Sequence, residues 1–261
     1  MKFEIAAAAL NGIPYTSPAK GRLFYDLVMN RRPRRILELG FAHGVSTCYF
    51  AAAAAEIGDC EITAVDLDAS QLVEPSIETL TARLGFKDIV SVHREQSSYT
   101  WFLKKEIAAQ SDNHVCTPKY DLIFIDGPKD WTNDGCAFFL ADKLLTENGA
   151  ILFDDYNWSY RDDEKARGKP HAGGYIFSKM SEEEYREPQI RAVFELLVLQ
   201  HPNYGQFEII DDELAMALKV SSGVDKEVRI HTRYSVKHRV ISYARRIASR
   251  ARANGAAVAA R

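Results

Sequence analysis

Residues 120–131, YDLIFIDGPKDW, join a buried strand to a cluster of charges. Residues 122–125 form a continuous apolar run, which is typical of a parallel strand covered on both faces. The run ends at Asp126, and a Gly-Pro turn then leads to Lys129 and Asp130. This stretch predicts a core strand whose carboxyl end presents charged side chains at one edge of a sheet.

The rest of the chain alternates between strand-like and helix-like segments. Helical patterns occupy about 17–30, 44–57, 75–84, 98–110, 132–146 and 187–200, and strands are predicted at 35–39, 61–66, 88–93, 120–126, 149–154, 207–210 and 214–220. This order predicts an α/β fold with a doubly wound, mostly parallel, seven-stranded sheet. The last two strands lie close enough to form a hairpin, so we expect the C-terminal strand to run antiparallel.

Charge divides the chain into a domain and a tail. The 261 residues are 46% hydrophobic and 26% charged, which allows one α/β domain with a sizeable core. We assign residues 1–221 to that domain; residues 222–261 carry a net charge of +8 and the remainder −11. Apolar residues at helical spacing predict a basic helix in the tail, which packs on its own acidic domain or, alternatively, contacts a membrane surface or a polyanion.

The chain has no signal for a membrane, a secretory pathway or a zinc site. Its first apolar stretch, Ile5–Leu10, is far shorter than the roughly 20 residues of a membrane span, so we expect no transmembrane segment. The four cysteines are widely separated, which predicts reduced thiols in a cytoplasmic protein. We expect no nucleic-acid partner, and a homo-oligomer is left open.

The first strand leads into a glycine-containing turn, ILELGFAHGVST at 36–47. Gly40 and Gly44 allow a tight turn and the close approach of a ligand to a helix N-terminus. Ala42 stands where a dinucleotide fingerprint has its middle glycine, which argues against a pyrophosphate. Asp66 ends the second strand, where a carboxylate can accept both ribose hydroxyls. A ribose without a pyrophosphate fits S-adenosylmethionine.

The fifth strand ends in two consecutive carboxylates within GAILFDDYNW. Asp154 and Asp155 would crowd against Asp126, since the fourth and fifth strands end at the same edge. A divalent cation such as Mg²⁺ resolves the repulsion between them. The sequence leaves open whether Asp154 or Asn157 completes the set of ligands.

These motifs carry a family resemblance that covers roughly residues 17–221. The pattern E-L-G-x-x-x-G-x-S, together with Asp66, resembles the class I S-adenosylmethionine-dependent methyltransferases with their Rossmann-like fold. The charged strand ends resemble the metal-dependent O-methyltransferases, both catechol O-methyltransferase and the related sugar enzymes. Tyr156 departs from the Asn of the catechol enzymes, while the pair Asp154-Asp155 resembles the sugar enzymes.

The resemblance implies roles for individual residues. Lys129 lies at the offset of the general base in these families, and we expect burial and a nearby cation to lower its pKa. Asp126 is the second implied catalytic residue, beside Lys129. His171 is a second candidate for the general base. The implied metal ligands are Asp126, Asp154 and Asp155, and the implied cofactor-binding residues are Glu38, Gly40, Gly44, Ser46, Asp66, Gln96 and Ser97.

The sequence therefore predicts an S-adenosylmethionine-dependent, divalent-metal-dependent O-methyltransferase. Its partner would be a small polyhydroxylated acceptor: a sugar, glycoside or phenol. Residues 156–187 are predicted to form a lid loop with a hinge at Gly173-Gly174, and residues 11–18 to cover the cofactor. The alternatives are a nicotinamide-dependent oxidoreductase, a non-catalytic S-adenosylmethionine-binding protein, and an iron-dependent hydroxylase, for which a set made only of carboxylates is unfavourable.

Overall fold

The computed structural model describes residues 2–168, 180–220, 230–235, 241 and 243. Its strands are β1 Arg35–Leu39, β2 Glu61–Leu67, β3 Val90–Glu95, β4 Ser111–Asp112, β5 Val115–Cys116, β6 Tyr120–Ile125, β7 Leu145–Phe153, β8 Tyr204–Ile210, β9 Leu214–Lys219 and β10 Ile230–Arg233. Its α-helices are α1 Lys2–Leu10, α2 Pro18–Arg31, α3 Val45–Ile57, α4 Ile77–Leu84, α5 Tyr99–Gln110, α6 Trp131–Leu144, α7 Tyr160–Arg167, α8 Glu182–Arg186 and α9 Gln189–Val193. A 3₁₀ turn spans Asp68–Leu72, and a π-helical turn, Phe194–Val198, extends α9.

The main sheet has the strand order β10-β8-β9-β7-β6-β1-β2-β3. Strands β7, β6, β1, β2 and β3 pair in parallel, whereas β9 runs antiparallel to both β7 and β8. The prediction of a mostly parallel, doubly wound sheet with an antiparallel C-terminal hairpin strand is therefore confirmed. The ends of the parallel strands form one edge, called the carboxyl edge below.

An eighth strand corrects the predicted count of seven. Ile230–Arg233 pairs in parallel with β8, so the sheet continues into the segment that the sequence assigned to a helical tail. The backbone of β8 would otherwise leave one side of its hydrogen-bonding groups unpaired at the sheet edge. The apolar positions of the predicted tail helix, Val236, Val240, Ala244, Ile247 and Ala251, lie outside the described residues.

Both faces of the sheet are covered, which explains the continuous apolar run in β6. Leu122 and Phe124 pack into one core layer beneath α2 and α3, and Ile123 and Ile125 into the other beneath α5 and α6. In the first layer, the ring of Phe124 lies 5.0 Å from that of Phe24. The central strand is thus fixed from both sides, and its carboxyl end is held rigidly.

The described residues of the predicted lid loop, 156–168 and 180–187, include the helices α7 and α8, which corrects its description as a loop. Ser159 caps α7 by accepting a hydrogen bond from the Asp162 N–H, and Gly168 ends the helix with φ 67°. These are ordinary cap residues for a helix. The predicted hinge Gly173-Gly174 and the candidate base His171 lie outside the described residues.

The N-terminal helix α1 was not predicted from the sequence. It buries Phe3, Ala6 and Leu10 against the layer that contains α2 and α3. Within the described ranges, no helix has both the length and the apolar character that crossing a membrane requires.

Candidate active site

A cavity of about 950 Å³ opens at the carboxyl edge of the sheet. It brings together residues that are far apart in the sequence but follow the ends of β1, β2, β3, β6 and β7. Its wall includes the predicted residues Gly40, Ser46, Asp66, Ser97, Asp126, Lys129, Asp154 and Asp155. The glycine turn and the acidic cluster therefore face one shared space.

Three carboxylates and two ammonium groups form the acidic end of the cavity. One oxygen each from Asp126, Asp154 and Asp155 lies within 4.8 Å of the others. Lys129 donates to Asp126 Oδ1, and its Nζ lies 3.4 Å from Asp155 Oδ2. Lys20, from α2, places its Nζ 2.6 Å from Asp154 Oδ1. The five groups form one network of ion pairs, which we call the acidic cluster.

Burial and mutual charge shift the pKa values within this cluster. Burial raises the pKa of Asp126 well above its usual range, and the nearby Asp154 and Asp155 add to that effect against Lys129. Burial alone would lower the pKa of Lys129, but Asp126, Asp155 and Asp154 together raise it above 10.5. The sequence predicted a lowered pKa for Lys129. The structure corrects this because three carboxylates outweigh the cost of burying one ammonium.

Two residues of the cluster have an uncommon backbone conformation. Lys129 has φ 64° and Asp155 has φ 57°, both in the left-handed region that favours glycine. Strained backbone of this kind persists where the surrounding structure holds it, and it concentrates at functional sites.

Buried hydrogen bonds support the turn that carries Lys129. Tyr99 donates to Asp134, whose other oxygen accepts the Asp130 N–H at 2.9 Å, and burial raises the pKa of Asp134 to about 7. Tyr160 donates to the carbonyl oxygen of Pro128. Asp130 itself caps α6. Lys129 therefore pairs with Asp126 and Asp155, whereas the neighbouring Asp130 is occupied as a helix cap.

Asp66 organises the opposite end of the cavity. Its Oδ2 accepts the N–H groups of Phe41 and Ala42 at 2.9 and 2.7 Å, and its Oδ1 accepts the Leu67 N–H at 2.6 Å. These bonds hold the turn between β1 and α3 against the end of β2. Gly40 has φ 93°, and a Cβ there would lie 2.1 Å from the carbonyl oxygen of Asp126. Glycine is thus required where the ends of β1 and β6 meet.

Comparison with known proteins relates this geometry to an enzyme class. The model of a family described as "Methyltransferase domain" matches residues 37–156. The O-methyltransferase hkm8 of Aspergillus hancockii is 32% identical over 147 residues, which are 55% of this chain and 52% of that protein. The chain therefore spans about half the length of this curated relative.

Solved structures agree on the fold. The O-methyltransferase TomG of Streptomyces achromogenes, involved in tomaymycin synthesis and solved with S-adenosylmethionine, has a TM-score of 0.57 at 16% identity over 84% of this chain and 90% of its own. An O-methyltransferase from Bacillus cereus, solved with S-adenosylhomocysteine, has a TM-score of 0.55 at 20% identity over 84% and 88%. Residues 37–156 therefore resemble a methyltransferase domain, and the chain shares the fold of these solved O-methyltransferases. Both solved relatives bind the cofactor or its product.

Three of the predicted cofactor-binding residues lie off the cavity wall. Glu38 is fully buried and accepts hydrogen bonds from Ser46 and Thr47, each at 2.5 Å, so it positions the start of α3. Gly44 faces Ile77, whose side chain would meet a Cβ at 2.5 Å. Gln96 is exposed outside the cavity, one residue before Ser97.

The structure also separates the two candidates for the third oxygen ligand. Asp154 belongs to the acidic cluster, whereas Asn157 is exposed and accepts a hydrogen bond from Arg191 at 3.2 Å. The strand β7 ends at Phe153, and the turn that follows carries Asn157 away from the cavity.

Sequence reasoning missed two polar residues of the cavity region, His43 and Lys20. His43 lines the cavity, with its Nδ1 2.8 Å from the Pro75 carbonyl oxygen, beside Pro14, Tyr15 and Thr16 of the segment predicted to cover the cofactor. Lys20 was missed because nothing in a helix start indicates which distant carboxylate its side chain reaches.

Proposed function

We propose that this methyltransferase transfers the methyl group of S-adenosylmethionine to a hydroxyl oxygen of a small polyhydroxylated acceptor, with a divalent cation held by Asp126, Asp154 and Asp155. The observation that carries the proposal is the shared cavity: the acidic cluster and Lys129 face the same space as Gly40 and Asp66. A methyl donor held at one end would lie beside a hydroxyl held at the other.

The residues present fit a divalent cation. The donor atoms are carboxylate oxygens, which suit hard cations such as Mg²⁺, and they converge within 4.8 Å. A bound cation would lower the pKa of an acceptor hydroxyl and orient it. It would also supply positive charge to a group of three carboxylates that two lysines only partly neutralise.

Lys129 is proposed as the group that accepts the hydroxyl proton. Its side chain is 12% exposed and contacts both Asp126 and Asp155, so it is confined to the acidic end. Its raised pKa keeps it protonated as long as the charge of those carboxylates is not neutralised by a bound cation. Lys129 can therefore act as a base only when their charge is neutralised from another source, which couples its protonation to the cation site.

The cofactor is proposed to lie against Gly40, Ser46, Asp66 and Ser97, with Pro14–Thr16 covering it. Asp66 uses its oxygens to hold the turn after β1, and a carboxylate has about four lone-pair positions, which leaves capacity for ribose hydroxyls. The N-terminus of α3 faces the same part of the cavity through Val45 and Ser46, and it favours an anionic group such as the methionine carboxylate.

Turnover measured with radiolabelled S-adenosylmethionine on a panel of catechols, phenols and glycosides tests the proposal. Lys129→Ala should leave cofactor binding intact and lower turnover by about 10²- to 10⁴-fold, with partial recovery at high pH as the acceptor ionises unaided. Asp155→Asn should weaken activation by Mg²⁺ and respond to excess Mg²⁺. Lys143→Met, at an exposed lysine in the last turn of α6, is the control. A Lys129→Ala enzyme with wild-type turnover would contradict the assigned base.

A further inference from the structure

Lys20 is a buried cation that enters the acidic cluster from outside the strands. It lies in the first turn of α2, where its N–H donates to the cap residue Ser17 at 3.2 Å. Its side chain is only 11% exposed, and its Nζ lies 2.6 Å from Asp154 Oδ1. Lys20 also precedes residues 37–156, the part of the chain that the methyltransferase domain model matches.

Two donors converge on the same oxygen of Asp154. The Lys20 ammonium and the Asp155 N–H, at 2.9 Å, both reach Oδ1. In the part of the chain that the structure describes, no donor bonds to Oδ2. The carboxylate is therefore fixed through one oxygen, and its second oxygen is left for another ligand.

The two lysines of the cluster differ in their attachment. Lys129 follows β6 by a short turn and contacts Asp126 and Asp155. Lys20 is held by a helix whose interior residues Phe24 and Val28 are buried in the core, and among the described residues it lies within salt-bridge distance of Asp154 only. The position of the Lys20 ammonium is thus set by a helix that is packed in the core.

The charge of Lys20 acts on any cation that the cluster binds. The three carboxylates and two ammonium groups carry a net charge of −1, and without the Lys20 ammonium they carry −2. Because the site is buried, the repulsion between Lys20 and a second cation is screened less than it would be in water. Removing the ammonium should strengthen cation binding, provided that Asp154 stays in place.

We propose that Lys20 is a positioning residue and the resident counter-ion of the cation site. It fixes Asp154 through one oxygen, and its charge keeps the affinity of the cluster for divalent cations lower than it would be without this ammonium. This inference rests on the proposed function, since it assumes that the cluster binds a divalent cation. A moderate affinity lets the cation exchange with solution.

Mn²⁺ titration, followed by electron paramagnetic resonance of the free ion at a fixed pH of 8, tests the proposal on the full chain. Lys20→Met should bind Mn²⁺ at least tenfold more tightly than the wild type, and Lys20→Arg, which keeps the charge, should bind within about threefold of it. Lys143→Met removes a positive charge at the opposite edge of the sheet and should bind as the wild type does. Binding of S-adenosylhomocysteine should be unchanged in all three variants.

A second pair of variants guards against misfolding of Lys20→Met, in which Asp154 loses its partner. Asp154→Asn and the double variant Asp154→Asn/Lys20→Met differ only by the ammonium, and the double variant buries a neutral pair. The double variant should bind Mn²⁺ more tightly than Asp154→Asn. If removing the Lys20 ammonium leaves Mn²⁺ binding equal or weaker in both comparisons, the role of Lys20 is overturned, while the proposed cation site still stands. A wild-type chain that binds no Mn²⁺ overturns the proposed cation site and this inference with it.

Discussion

Replacing Glu38 with glutamine should remove a large dependence of stability on pH. Glu38 is fully buried beneath the turn after β1, and burial raises its pKa from 4.5 to about 7 against the hydrogen bonds from Ser46 and Thr47. The glutamine amide has nearly the same shape and can still accept from Ser46. The substitution therefore removes the ionisation of this group while keeping the packing.

The magnitude follows from the pKa difference between the folded and unfolded states. Because the folded-state value is the higher one, the native protein binds a proton that the unfolded chain has already released. This stabilisation is fully present below pH 4.5 and is lost as the pH rises through about 7. A difference between 4.5 and about 7 corresponds to roughly 3 kcal/mol in full, most of which falls between pH 5 and pH 8.

Urea unfolding of both proteins at several pH values between 5 and 8 measures the effect. Other titrating groups are common to the two proteins, so they cancel in the difference between the two free energies of unfolding. That difference should favour glutamine progressively as the pH rises. Glu78→Gln is the control: Arg94 lowers the pKa of Glu78, so its contribution changes below about pH 4.5 and the difference should be nearly constant between pH 5 and pH 8. A difference for Glu38→Gln that is constant across the range would refute the reasoning.

Three further substitutions probe the turns that shape the cavity. Gly40→Ala should destabilise the protein by several kcal/mol in thermal unfolding, because the added Cβ would meet the Asp126 carbonyl oxygen. Its control is Gly58→Ala, which is also at positive φ but has open space around it and should cost about 1–2 kcal/mol. Tyr160→Phe leaves the Pro128 carbonyl oxygen without its donor and should cost about 1–3 kcal/mol and lower turnover more than cofactor affinity. Asp130→Ala removes the cap of α6 and should cost about 0.5–2 kcal/mol in urea unfolding; no loss would mean that α6 needs no cap.

Local patterns were enough to predict the sheet and eight residues of the cavity wall. The apolar run in β6 and the positive-φ glycines at 40 and 44 each depend on neighbouring residues, so they can be read from a short stretch. The carboxylates at the ends of β2, β6 and β7 share one edge because parallel strands end together. The sequence was therefore enough to predict that Asp66, Asp126 and Asp155 lie at one site.

Some errors came from local signals that were overlooked. Ser159 and Gly168 are ordinary cap residues, yet the segment between them was predicted as part of a loop. Others could not be avoided by closer reading. The strand Ile230–Arg233 depends on an open edge of β8, and edge pairing has no short-range signature.

The amino-acid sequence by itself determined the alternation of strands and helices, the tight turn after β1 and the carboxylates of the site, because each follows from the periodicity or chemistry of adjacent residues. Only the tertiary structure decided that Glu38 faces the core and that Asp154, not Asn157, joins the cluster. It also placed Lys20 beside a carboxylate 134 positions later in the chain. Such contacts depend on how helices pack against the sheet, and that packing brings together residues whose separation in sequence carries no signal of their proximity.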